Sequence, residues 1–297
     1  YKGKNSIYDH KCKLIWRLHW PAWMDVFGTS IEGAGMDHHT RGGSWDTTVA
    51  VFKEMFKKEP PIGYKFGFIL FQGKKYSKSK GIGMGVSDLI LLLPVEIIKY
   101  LLVKPDLEEN IDINPTPDSL LKVYDEFQRV AELNSTNPDV SKLDRHNEKS
   151  LQAYRICTDK QNWKAQFLDL LLYYQIYGNW DDVGKMVNDE QGTKYLKPYV
   201  EEWVRKEFIP EEYHFKYTPS KEKASETVVK MFAGLDSKAD ALTIHNAVFE
   251  YAKANEIEPK EMFKQVYLAL IGKEKGPRVG KLVYALGVER IKKDLQC

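Results

Sequence analysis

A chain of 297 residues with 43% hydrophobic and 29% charged residues has the composition of a globular protein of about two domains, with room for a sizeable core. No uninterrupted apolar run approaches the ~20 residues of a membrane helix; the longest, Leu89 to Val95, contains Pro94, and the first residues lack the charged-then-apolar layout of a secretory signal. The net charge of +2 neither requires nor excludes a polyanionic partner.

The first strand is predicted over Ser30 to Ala34, stopped by Gly35. Asp37, His38 and His39 follow, and Gly42-Gly43-Ser44 turns into a helix with Val51, Phe52, Met55 and Phe56 on one face. In an open parallel sheet such a turn lies at the carboxyl edge of the strands, where α/β proteins bind ligands. An Asp there can take a ribose hydroxyl, and a His can orient a phosphate or a carboxylate. A lone His-His pair also reads as a surface turn. Zinc would lack companion ligands at a helical or knuckle spacing.

A second strand-like run, Tyr64 to Phe71, leads into Lys75-Tyr76-Ser77-Lys78-Ser79-Lys80-Gly81. Hydroxyls alternating with ammonium groups before a glycine suit a loop that wraps a polyphosphate. Taken alone, the same residues also describe a solvated loop.

Near residue 104 long amphipathic periods replace strand-like, glycine-rich sequence. Pro94 opens a helix with Ile97, Ile98, Leu101 and Leu102 inward, and Pro117 opens another with Leu120, Tyr124, Phe127 and Ala131. Residues 134–146 read as a polar linker. Trp163, Phe167, Leu170, Leu171 and Tyr174 mark the next helix. Ile244, Val248 and Tyr251 mark a later one, and Phe263, Val266, Tyr267 and Leu270 the last, between Pro259 and Gly272.

Residues 1–100 hold 15 Lys and Arg against 9 Asp and Glu, and the remainder 29 against 33. The basic third carries the candidate site, so a cationic mouth there would attract phosphate-bearing ligands. Cys12, Cys157 and Cys297 are odd in number and far apart, which favours reduced thiols in a cytoplasm.

The Gly35-to-Asp46 segment followed by the basic loop resembles the second half of a class I aminoacyl-tRNA synthetase catalytic domain, the loop being similar to its KMSKS signature with Tyr76 in place of methionine. The likeness is strongest to the archaeal-type class I lysyl-tRNA synthetases. Their WRxDWP, GxDHxxxGGSYD and PP-containing segments are matched by Trp16 to Pro21, Gly35 to Asp46 and Pro60-Pro61 to Phe71. Pro210 to Phe215, His245 to Val248 and Gly272 to Arg278 resemble the family's helical carboxyl-terminal region. His19 stands where Asp is usual and Trp23 where Arg is usual. No HIGH-like tetrapeptide occurs and the chain opens on Tyr1, so an amino-terminal stretch of the nucleotide fold is expected to be missing.

The resemblance implies an α/β portion followed by an all-α portion: a partial Rossmann-type nucleotide-binding domain over 1–103, a helical connecting region over 104–150, and a helical anticodon-binding domain over 151–297. It implies ATP-dependent attachment of lysine to tRNA(Lys) through lysyl-adenylate, with ATP and Mg2+ as cofactors and any zinc site in the missing stretch. Lys75, Ser77, Lys78 and Ser79 would hold the leaving pyrophosphate, with Lys78 the strongest candidate. Gly35, Asp37 and His38 would meet ATP. Trp16, His38 and Tyr64 would hold lysine by aromatic contact and cation–π attraction, and Arg278 and Lys281 would touch tRNA. Two alternatives remain: a noncatalytic tRNA-binding fragment, or a class I synthetase of other specificity, such as glutamyl.

Overall fold

The computed structural model describes residues 4, 6–75, 85–158 and 164–296. Tyr76, Ser77, Lys78, Ser79, Lys80, Gly81 and Trp163 therefore lie outside the described residues. The chain divides into two compact units: residues 1–84 with 101–114, and residues 85–100 with 115–297.

The first unit is mixed α/β. Helix α1 (Trp16–Val26) precedes strand β1 (Ile31–Gly35), a 3-10 turn over Met36–His39, and helix α2 (Ser44–Ala50). Strand β2 (Ile62–Phe66) pairs parallel to β1, with Ile31 opposite Ile62 and Gly35 opposite Phe66. Trp20, Met24, Ala34 and Phe52 make a small buried core on one face of this pair, joined by Trp45 and Phe56. The helix after the glycine turn continues from α2 as a π-helical stretch, Val51–Phe56. Its wider turn keeps Val51 and Phe52 buried but leaves Met55 64% exposed, correcting the single apolar face expected from a 3.6-residue period.

The run from Tyr64 to Phe71 is two strands. At Gly67 the chain changes partner: Gly67 N–H donates to Leu107 O at 2.8 Å and Phe68 N–H to Asn110 Oδ1 at 2.8 Å. A Cβ on Gly67 would stand 2.2 Å from Glu109 O, so only glycine permits this crossing. Strand β3 (Ile69–Phe71) then pairs antiparallel with β4 (Lys74–Lys75) and parallel with β5 (Ile111–Ile113). The β3–β4 turn has Gln72 at φ 50° and Gly73 at φ 73°, the positive pair of a type I′ hairpin. Gly73 N–H donates to the Asp112 carboxylate at 3.0 and 3.1 Å, fixing the tip to β5. Strand β5 was not predicted, because three residues carry no readable period.

The second unit is helical. Helix α3 (Val86–Leu92) stops before Pro94, leaving the Leu92 carbonyl without a helical donor. Tyr124 Oη at 3.0 Å and Trp203 Nε1 at 2.9 Å both donate to it. Tyr124 lies on α5 (Pro117–Ser135) and Trp203 on α9 (Glu190–Arg205). Tyr124 stacks on Phe167 of α7 (Phe167–Tyr177) with centroids 3.9 Å apart. Helix α4 (Val95–Val103) buries Ile97 and Tyr100; Leu102 points outward, 43% exposed, because it stands about half a turn from that seam. Residues 134–146 contain the end of α5, a 3-10 turn over Val140–Lys142 and the start of α6 (Arg145–Cys157). Burial of Cys157 pushes its thiol pKa up, which keeps it protonated.

Helix α8 (Trp180–Val187) leads to α9, capped by Asp189, whose carboxylate accepts N–H groups from Gly192 at 2.9 Å, Ala165 at 2.8 Å and Lys164 at 2.5 Å. After α10 (Glu226–Ala233) come α11 (Ala241–Ala254), α12 (Pro259–Ile271), α13 (Val279–Leu286) and α14 (Val288–Leu295). Helix α12 opens at Pro259 and closes on left-handed Gly272, as the sequence predicts. Among the described residues no helix is long and apolar enough to cross a membrane.

Candidate active site

Helix α1 sends a ladder of rings toward the aspartate turn. Trp16 and Trp20, one turn apart, stack with centroids 5.5 Å apart and planes 14° from parallel. Trp20 is buried, donates Nε1–H to Glu32 Oε1 at 3.0 Å, and meets Trp45 edge-on at 5.9 Å. Arg17 donates to Gly42 O and to Thr47 Oγ1, both at 2.9 Å, tying α1 to the glycine turn.

Each glycine of that turn has its own reason. Gly42 has φ 72°, whereas a Cβ on Gly43 would stand 2.4 Å from His38 O. Gly42 N–H donates to Asp46 Oδ2 at 2.7 Å. The resulting path brings Ser44, the first residue of α2, to His38, with Oγ 3.3 Å from Nδ1. The His38 ring lies 5.6 Å from Trp20 and 6.5 Å from Trp16. His39 stacks on Trp45 at 5.1 Å, and its buried Nε2 has no hydrogen-bond partner among the described residues.

Alternation along β1 and β2 sorts the remaining candidates. Glu32 and Ala34 face α1 and α2, so Gly33 and Gly35 face the other way, as do their register partners Tyr64 and Phe66. The Tyr64 ring lies over Gly33, 2.4 Å from where a Cβ would be, and Asp37 Oδ1 lies over Gly35 at 2.8 Å. The two glycines therefore let a phenol and a carboxylate lie directly against the strand backbone, one over each. The structure brings Trp16 to His38 and gathers Gly35, Asp37 and Tyr64 on the opposite face; Tyr64 and Trp16 share no ring contact.

Lys75 ends β4, the only residue of the basic loop within the described backbone; Ser77, Lys78 and Ser79 are outside it. His19 and Trp23, the two departures from the family pattern on α1, pack edge to face at 4.3 Å, with Trp23 54% exposed. Sequence reasoning missed Trp20, Glu32 and Ser44. The four-residue step from Trp16 to Trp20 and the Gly-Gly-Ser entry to a helix are the signals that would have found two of them.

In the helical unit, Lys281 Nζ sits between both Asp169 oxygens at 2.5 and 2.7 Å. Arg278, on the turn before α13, forms no side-chain hydrogen bond or ion pair among the described residues and lines three cavities of about 850, 550 and 360 Å³. In the 550 Å³ cavity, burial pushes the Asp125 pKa up, while Arg278 pulls it down. Burial, with Glu212 beside it, pushes Tyr213 up to about 12.

Residues 1–159 match the family model described as tRNA synthetases class I (K), and residues 196–297 match one described as an anticodon binding domain. The chain belongs to the class I (K) tRNA synthetases. Among its relatives, the lysine–tRNA ligase of Picrophilus torridus is 29% identical over 98% of this chain and 60% of its own length. Those of Methanosarcina barkeri and Borrelia garinii subsp. bavariensis are each 27% identical, over 90% and 95% of this chain and 56% and 57% of their own. The chain thus spans less than two thirds of the length of these relatives. A solved glutamate tRNA ligase of Elizabethkingia meningosepticum aligns over 95% of this chain and 60% of its own, at 17% identity and a TM-score of 0.35, too slight a likeness to bear on the fold. A class I (K) synthetase segment in α/β form followed by a mostly helical anticodon-binding region is what the described elements make up.

Proposed function

We propose that this chain acts in the ATP-dependent attachment of lysine to tRNA(Lys) through a lysyl-adenylate, in the cytoplasm. The glycine at the carboxyl end of β1 supports the reading: Gly35, without a Cβ, lets the Asp37 carboxylate lie against the strand end where a nucleotide would sit. On this reading residues 1–103 bind nucleotide, 104–150 connect, and 151–297 engage the anticodon. Gly35 and Asp37 meet the adenosine, His38 faces the reacting carboxylate and phosphate, and Trp16, beside His38, walls the lysine stem; Tyr64, on the opposite strand face, stands apart from that wall. Lys75 and Lys78, with Ser77 and Ser79, neutralise the departing pyrophosphate while the lysine carboxylate attacks the α-phosphate. The Mg2+ that accompanies ATP would be held through the nucleotide's phosphates. Arg278 is the better placed of the two tRNA candidates, since Lys281 already has a carboxylate.

The test is lysine-dependent exchange of pyrophosphate into ATP. Lys78→Ala should lower it on the order of 100-fold. Exchange driven by glutamate rather than lysine would overturn the substrate. The anticodon-domain match also supports a narrower reading in which the chain binds tRNA without activating lysine; tRNA retention with no exchange separates the two.

A further inference from the structure

Trp16, the indole placed beside the lysine stem, does not hold its own position: it is 53% exposed and rests on Trp20, one turn along α1 and only 8% exposed. His38 meets both indoles at nearly one tilt, 55° to Trp20 at 5.6 Å and 53° to Trp16 at 6.5 Å, because the two indole planes are almost parallel. Trp45 closes Trp20 edge-on at 5.9 Å. Trp20 is thus the shared backing of both wall residues, and all of them belong to the first unit. Packing alone lets a flat ring sit either way round in its slot. The hydrogen bond from Nε1 to Glu32 Oε1 at 3.0 Å selects one.

Glu32 is a costly way to make that bond. It is half-buried on the face of β1 that Ala34 shares, and among the described residues its carboxylate has one hydrogen-bond partner, the neutral indole N–H, and no ion pair. A carboxylate taken partly out of water is poorly compensated by one neutral donor, so stability would be served as well by an apolar pair here. Orientation would not. Both carboxylate oxygens accept, so either one holds the indole, and the strand beneath is fixed by its register with Gly63 on β2. Gly33 and Gly35 face away from this cluster, so the anchor acts on the Trp16 and His38 side alone.

We propose that Glu32 is a positioning residue for the lysine wall: its carboxylate sets the Trp20 indole, and Trp20 sets the rings of Trp16 and His38 against the substrate stem. The assignment rests on the lysine site of the proposed function. It is tested on the full chain by equilibrium dialysis against radiolabelled lysine and, separately, ATP. Glu32→Leu should weaken lysine binding roughly tenfold and leave ATP binding within about twofold, since Gly35 and Asp37 lie on the opposite face of β1. Glu32→Gln, whose amide oxygen still accepts Nε1–H, should bind lysine within about threefold of the unmodified chain. A merely structural carboxylate would show no such split. Trp20→Phe removes the donor, and the double variant Glu32→Leu/Trp20→Phe leaves neither group of the pair unsatisfied, so it keeps the fold and should bind lysine no more weakly than Trp20→Phe alone. Unchanged lysine affinity in Glu32→Leu or in the double variant, or equal weakening of lysine and ATP, would overturn the positioning role and leave the lysine site standing. If the unmodified chain retains no lysine, the site and the positioning role both fall.

Discussion

Replacing Gly63 by alanine tests whether the aromatic ladder beside the aspartate turn is a rigid support. Gly63 lies on β2 opposite Glu32, and its added Cβ would stand 2.0 Å from Trp45 Cζ2 and 2.4 Å from Cε2. Carbon atoms rest at about 3.5–4.0 Å, so the indole must retreat by roughly 1.5 Å or more. It cannot do so freely, being stacked on His39 at 5.1 Å and set against Trp20 at 5.9 Å. Overpacking of this kind costs about 1–3 kcal/mol, and we expect Gly63→Ala near the upper end. Gly33→Ala is the control. Its Cβ meets the Tyr64 ring at 2.4 Å, but Tyr64 is 43% exposed and can swing into solvent, so a change within about 1 kcal/mol is expected. Urea unfolding followed by tryptophan fluorescence compares the two. Equal stabilities for both variants would refute the claim that Trp45 is wedged.

Asp189→Ala removes the acceptor of three backbone N–H groups and should cost about 2–4 kcal/mol, measured by urea unfolding. Burial raises the Asp189 pKa, but the N–H donors outweigh it and the net shift is downward. Its stabilisation is therefore complete above the unfolded carboxyl pKa and is lost as pH falls through the lower folded value; the variant's deficit should shrink in acid and stay constant at neutral pH. Arg278→Ala should reduce the salt dependence of tRNA binding by about one phosphate contact, whereas Lys281→Ala should leave that slope unchanged and lower stability by about 1 kcal/mol, because its charge is spent on Asp169. Ser44→Ala should release the His38 ring, so that nitrogen-15 shifts report a mixture of imidazole tautomers where the unmodified chain reports one.

Helix ends were legible where a residue type dictates the backbone: Pro117, Pro259 and Gly272 stand where the elements begin and stop. The strand-turn-helix path through Asp37 and His38 was legible for the same reason, since Gly42 takes a left-handed φ and Gly43 has no room for a Cβ. Local pattern did not reveal partner choice. Nothing in Tyr64 to Phe71 shows that residues 107–110 cross at Gly67, and neither Asn110 nor Asp112 looks like a capping residue until the chain returns to β3. Trp20 was overlooked because a buried tryptophan is unremarkable without its Glu32 partner.

That return has a consequence for synthesis. The first unit is interrupted: the polypeptide departs after residue 84, contributes α3 and the start of α4 to the other unit, and comes back only for 101–114. Until Ile113 has left the ribosome, β3 lacks its parallel neighbour and the hairpin that launches the basic loop lacks its Asp112 clasp. A shortened form ending near residue 84 would therefore expose a raw sheet edge and invite aggregation, whereas one ending after residue 114 would retain the whole first unit.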